Sequence, residues 1–137
     1  MRLNVSGPHG VLSEFSIGII NDAINLATLP SSGSIHVHLD KDCDLEVLDR
    51  AVEIFNLFEM NKLPQKQGVL LYVCIRSKQF AMIADAGLTS KMGEGGWQEI
   101  IDNMTIYFKS GDLVKAILDG VESAGKKLQL FFPAERV

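Results

Sequence analysis

Cysteine is scarce in this chain. Cys43 and Cys74 are the only two, too few for the disulfide framework on which small secreted folds rely. Cys74 falls inside the apolar run Val69-Leu70-Leu71-Tyr72-Val73-Cys74-Ile75, where a buried thiol is usual, so both are read as reduced. No apolar stretch approaches the roughly 18 residues that suggest a membrane span, and the leading residues hold no apolar segment of signal-peptide type. Positive charge is in deficit. Thirteen Lys and Arg face 17 Asp and Glu, a net charge of −4, with no basic stripe, which argues against nucleic acid as a partner. A P-loop, a dinucleotide-type glycine run and a Gly-x-Ser-x-Gly elbow are also missing. The expectation is a soluble chain, cytoplasmic as it stands, with another protein as a candidate partner and an open oligomeric state.

What is present describes one domain. Of 137 residues, 47% are hydrophobic and 22% charged, the balance of a globular fold. A chain of this length buries about 68–70% of its unfolded surface and needs no metal or disulfide to fold. Residues 1–12 read as an N-terminal lead, 13–133 as the domain and 134–137 as a tail.

Ser13 can cap a helix in which Phe15, Ile19, Ile20, Ala23, Ile24 and Ala27 recur at helical spacing. Pro30-Ser31-Ser32-Gly33 ends it. Ser34-Ile35-His36-Val37-His38-Leu39 alternates as a strand, with both histidines on one face. A second helix carries Leu45, Leu48, Val52 and Phe55 on one side, with Asp42 or Asp44 as its cap. Gly68 to Ile75 suits a strand buried on both faces. Arg76-Ser77-Lys78 then turns the chain into a returning strand, Gln79 to Ala84. Helices around Trp97 to Phe108 and Val114 to Ala124 follow, divided by Ser110-Gly111-Asp112.

The order α-β-α-β-β-α-α predicts an α/β fold, a three-layer α/β/α sandwich with a mixed central sheet. The first two strands are expected to be parallel and the third antiparallel. The predicted core includes Val37, Leu48, Val52, Leu71, Val73, Met82, Ile101 and Val121. In this topology Gly33-Ser34, Lys66-Gln67-Gly68 and Ala84-Asp85-Ala86-Gly87 share one end of the sheet. Asp40-Lys41-Asp42-Cys43-Asp44 and the Arg76 turn share the other.

Ser32-Gly33-Ser34-Ile35-His36-Val37-His38, Gln67-Gly68-Val69-Leu70-Leu71-Tyr72-Val73, Phe80-Ala81-Met82-Ile83-Ala84-Asp85-Ala86-Gly87-Leu88, Trp97, Phe108-Lys109-Ser110-Gly111-Asp112 and Phe131-Phe132-Pro133 together resemble the TPM domain family. The resemblance runs from about Ser13 to Pro133. It implies an α/β/α sandwich, calcium or magnesium binding as in several members, and a weak acid phosphatase activity of the kind proposed for a plant member. Members also include bacterial envelope proteins, so envelope association is a further implication. Three family motifs meet at the first end of the sheet. Asp85, Gly33, Gly68 and Gly87 fit them, whereas Ser34, Gln67 and Ala84 replace the usual Glu, Asn and Gly.

The resemblance therefore implies a cation site at Asp85, with Glu94 as a replacement carboxylate and Ser34 and Gln67 as neutral oxygen donors. Asp85 alternatively serves as a turn residue bonded to local backbone. Asp40, Asp42 and Asp44 form a weaker second metal candidate; their spacing is that of an EF-hand start, but Leu45 and Ala51 occupy the positions that need Gly and Glu, and helix capping also accounts for them. His36 and His38 lie about 7 Å apart on one strand face and read as structural histidines or as two ligands without a third. Cys43 near them has no oriented base. No catalytic residue is assigned, and three functions stand: a cation-binding accessory or interaction domain, a weak metal-assisted phosphomonoesterase, and a metal-free interaction module.

Overall fold

The uninterrupted apolar run becomes a strand from Gly68 to Cys74, designated β3, in which every residue is buried. A computed structural model describes residues 4–8, 10–29, 31, 33–62, 68–93 and 95–133. Gln67, Glu94, Lys66 and the tail 134–137 lie outside these residues.

Among the described residues the sheet has four strands: β1 (Val5–Ser6), β2 (Ser34–Asp40), β3 and β4 (Gln79–Ala84), in that spatial order. β1, β2 and β3 are parallel and β4 is antiparallel, with Ser34 opposite Gly68 and Val69 opposite Ala84. The mixed sheet is thus as expected, with one addition. Val5 and Ser6, read as part of a lead, pair with Val37 and His38. At the end of β1 the chain turns on Gly7, whose φ of 138° and close approach to Leu39 exclude a side chain, since a Cβ would lie 2.0 Å from the Leu39 carbonyl oxygen.

Among the described residues five α-helices flank the sheet: α1 (Glu14–Thr28), α2 (Val47–Leu57), α3 (Ala86–Met92), α4 (Gln98–Lys109) and α5 (Leu113–Phe131). Period-two alternation sends Ile35, Val37, Leu39, Val69, Leu71 and Val73 to one face, where they pack with Ile20 and Ile24 of α1, Leu88 of α3, Met104 and Phe108 of α4 and Val121 of α5. The other face presents Leu70, Tyr72 and Cys74 to Ala51, Ile54 and Phe55 of α2. Three layers result, with α2 and Met60 from the short 3-10 turn Met60–Lys62 covering the second face among the described residues.

Of the expected core, Val37, Leu71, Val73 and Val121 are buried, and Met82 and Ile101 are partly so. Leu48 and Val52 are not. They are 57% and 44% exposed, because α2 starts at Val47, is led by Glu46 instead of Asp42 or Asp44, and turns Ala51, Ile54 and Phe55 inward. A small residue at 51 lets the helix approach the sheet closely, which the larger apolar stripe beside it does not allow. The Asp85-Ala86-Gly87 segment, which follows the end of β4, also starts α3: Asp85 Oδ1 accepts from the Ala86 amide at 2.7 Å.

Two glycines on these helices have opposite roles. A Cβ on Gly125 of α5 would fall 2.6 Å from Ala27 Cβ and 2.8 Å from the Ala27 carbonyl oxygen, whereas one on the exposed Gly18 of α1 meets nothing within 4 Å. Gly125→Ala is therefore expected to destabilise by about 1–3 kcal/mol through overpacking. Gly18→Ala is expected to stabilise by up to about 1 kcal/mol through helix propensity. Urea midpoints of the two variants, read by circular dichroism, check the opposite signs.

Candidate functional site

The parallel pairing of β2 with β3 and the antiparallel return of β4 bring Ser34, Gly68 and Asp85 to one end of the sheet. Ser34 pairs with Gly68, and the Asp85 amide donates to the Gly68 carbonyl at 2.9 Å. Asp85 is 7% exposed. Its Oδ1 caps α3, but its buried Oδ2 has no hydrogen-bond partner. Such an oxygen is costly unless something donates to it or coordinates it. The donor chemistry fits a hard cation, with one carboxylate oxygen free for it and Ser34 at the neighbouring strand start. The fit is incomplete: no group of three or more His, Cys, Asp and Glu side chains is poised around an ion among the described residues. Trp97 packs against the core with its buried Nε1 unpaired.

At the opposite end the acidic loop is already committed. Asp40 Oδ1 lies 3.1 Å from His38 Nε2; Oδ2 accepts from Arg50 Nε at 3.0 Å and from the Tyr72 hydroxyl at 2.8 Å. Arg50 also donates to Glu53, and Asp42 pairs with Arg76 at 3.2 Å. A cavity of about 320 Å³ opens here beside Asp40, Asp42, Cys43 and Asp44. Two guanidiniums at this rim oppose a cation.

Burial raises the Asp40 carboxyl, but hydrogen bonds from Tyr72 and Arg50 outweigh it and hold the group below the usual carboxylate range. Burial lowers His38, against the pull of Asp40, and keeps the imidazole neutral. Tyr72 is pushed up, first by burial and then by its bonds to Cys43 and Asp40.

One partner was absent from the sequence reading. Ser6 Oγ sits 2.6 Å from His38 Nδ1 and 2.8 Å from His36 Nε2. Phe58 covers both rings edge-on, at centroid distances of 5.9 and 4.8 Å. The proton order follows from valence. An ionised Asp40 only accepts, so His38 carries its proton on Nε2, leaving Nδ1 to accept from the Ser6 hydroxyl, while His36 Nε2–H donates to Ser6. The alternation of His36, His38 and Asp40 on one strand face was a readable signal; Ser6, 32 residues upstream of His38, carried none.

A native His38 held below its unfolded value binds fewer protons than the unfolded chain, so stability is expected to fall as pH drops below about 6.5. Asp40 adds a second loss at lower pH, where its unfolded carboxyl protonates first. His38→Gln is expected to flatten the first slope, and Asp40→Asn to cost about 2 kcal/mol at neutral pH by leaving Arg50 without its main acceptor. Denaturant midpoints measured across pH check both.

Comparison with known proteins gives a consistent answer. The model of the TPM domain matches residues 5–127. The solution structure of the BA42 protein from the psychrophilic bacterium Bizionia argentinensis is 31% identical, with a TM-score of 0.85 over 93% of this chain and 88% of that one. The N-terminal domain of a protein from P. gingivalis gives 19% identity and a TM-score of 0.75 over 98% and 88% of the two chains. The N-terminal domain of cg2496 from Corynebacterium glutamicum gives 14% and 0.70, over 91% and 79%. The last two show the fold alone. No curated protein matches the sequence.

Proposed function

The chain belongs to the TPM domain family, and from that premise we propose that it is a small accessory and interaction domain that binds a divalent cation, calcium or magnesium, beside Asp85. The observation that carries this reading is the buried, unpartnered Oδ2 of Asp85 at the point where two strand starts and a strand end converge. Ser34 and nearby backbone carbonyls would complete the ligand set together with Gln67 and Glu94. With one buried carboxylate in view, the expected affinity is that of weak sites, about 10⁻⁴–10⁻³ M.

The interaction part of the proposal draws on α1 and its C-cap, where Phe15, Leu26 and Leu29 are more than 70% exposed. Phosphomonoester hydrolysis is less well supported. Efficient phosphoryl transfer uses cationic donors around the equatorial oxygens, and Arg50 and Arg76 are both engaged with aspartates at the far end of the sheet.

Titration of the chain with calcium, and separately with magnesium, is expected to move backbone NMR signals at residues 33–34, 68 and 84–88, with the shifts lost in Asp85→Asn. Shifts confined to residues 41–45, or none at millimolar cation, would overturn the assignment. Any hydrolysis of p-nitrophenyl phosphate is expected to be slow. A fast, metal-dependent turnover that collapses in Asp85→Asn would make the domain an enzyme.

A further inference from the structure

The Ser6 hydroxyl, the His38 imidazole and the Asp40 carboxylate form a continuous chain of hydrogen bonds, 2.6 Å from Oγ to Nδ1 and 3.1 Å from Nε2 to Oδ1. We propose that Ser6 is an activated nucleophile, with His38 as its base and Asp40 as the positioning residue, and that this site reacts with small carboxylic esters. The inference is independent of the cation reading, whose residues lie at the other end of β2.

The geometry supplies the roles that nucleophilic catalysis needs. A serine is a poor nucleophile until a base takes its proton, and the base must be held in one tautomer by a third group. Here the ring is used the other way round from the familiar proteases, with Nδ1 toward serine and Nε2 toward the acid. Either nitrogen can accept while its neighbour donates, so the chemistry is the same. Asp40 is fixed by Tyr72 and Arg50 and stays ionised. His36 Nε2–H donates to the same Oγ at 2.8 Å, a bond that strengthens as the hydroxyl gives up its proton and becomes an anion. Ser6 ends β1 immediately before the Gly7 turn and is partly exposed. Its Oγ lies on the histidine face of the sheet, where the Phe58 ring adds an apolar side to the site that suits a small acyl group.

The step balances within these groups. Ser6 Oγ bonds to the ester carbonyl carbon as its proton passes to His38 Nδ1. The carbon–alkoxy bond then breaks and the leaving alkoxide takes that proton, departing as alcohol. Water attacks the acyl-serine, its proton going to Nδ1 and on to Ser6 Oγ as the carboxylic acid leaves.

The groups that face His38 are His36 and Asp40 from its own strand, Tyr72 from β3 and Arg50 from α2, with Glu53 behind Arg50. Asp40 and Arg50 keep their charges, so the acid limb of reactivity belongs to His38.

The test uses the whole chain with an alkyl fluorophosphonate, which forms an Oγ–P bond and expels fluoride, and with p-nitrophenyl acetate. Peptide mass mapping is expected to place one phosphonyl group on Ser6, and prior labelling to abolish ester turnover. Ser6→Ala should take no label. His38→Gln and Asp40→Asn should label about a hundredfold more slowly. In the unaltered protein the labelling rate should fall as pH is lowered from about 8 to 5, as the base becomes protonated. That profile tests the base even if the His38 variant does not fold. No label on Ser6, equal labelling of the exposed Ser13, or a rate indifferent to pH over this range would each overturn the proposal.

Discussion

A carboxylate taken out of water must be compensated where it lies, and Asp40 obtains this from three other side chains on three elements. His38 shares its strand, Tyr72 comes from the neighbouring strand and Arg50 from the helix above. The arrangement does more than neutralise one charge. Tyr72 is fully buried and its hydroxyl would be costly without an acceptor, while Arg50 sets how α2 lies over the sheet. Through His38 the same network reaches Ser6 and holds a two-residue edge strand that has little backbone pairing of its own. Removing Asp40 would therefore leave a phenol, a guanidinium and an imidazole looking for partners at once, which is the situation in which buried polar networks become expensive.

The sheet was legible because its signals are local and strong. Seven consecutive apolar residues with no polar interruption fit only a strand covered on both sides, and the alternation from Ser34 to Leu39 fixes which face each histidine takes. The right-handed crossover rule then placed Ser34, Gly68 and Asp85 at one end. The face of α2 was harder. Leu45, Leu48 and Val52 are more apolar than Ala51, and a count of apolar bulk selects the wrong stripe; the deciding factor is how near the backbone can come to Ala81 and Ile83 on β4, which the helix sequence does not report. β1 left even less trace. Two residues beside glycine and proline carry no periodicity, and their pairing with β2 closes a loop of about thirty residues that no window of local sequence spans.

The two ends of the sheet differ in their carboxylates for an electrostatic reason. The acidic loop after β2 looks like the better cation site on a count of carboxylates, with Asp40, Asp42 and Asp44 in one short run. In the folded chain Arg50 and Arg76 neutralise two of them, and the remaining lone pairs of Asp40 are directed at Tyr72 and His38. Sequence density of acid thus misleads, because a ligand set needs oxygens with nothing else to do.

Two carboxylates in the described residues do retain a buried oxygen without a partner, Asp85 Oδ2 and Asp119 Oδ2, and their settings separate them. Asp119 is raised by burial and by the nearby Glu122, so taking up a proton relieves it at little cost on the side of a helix. Asp85 sits where three chain segments end, its amide and its Oδ1 both held by backbone. Its second oxygen is therefore fixed in direction and cannot swing to water without releasing the start of α3. A group that is rigid, buried and unmatched is better suited to an incoming ligand than to a change of its own conformation, since the cost of ordering it has already been met by folding. That is why a single oxygen at Asp85 carries more weight here than three carboxylates in the acidic loop.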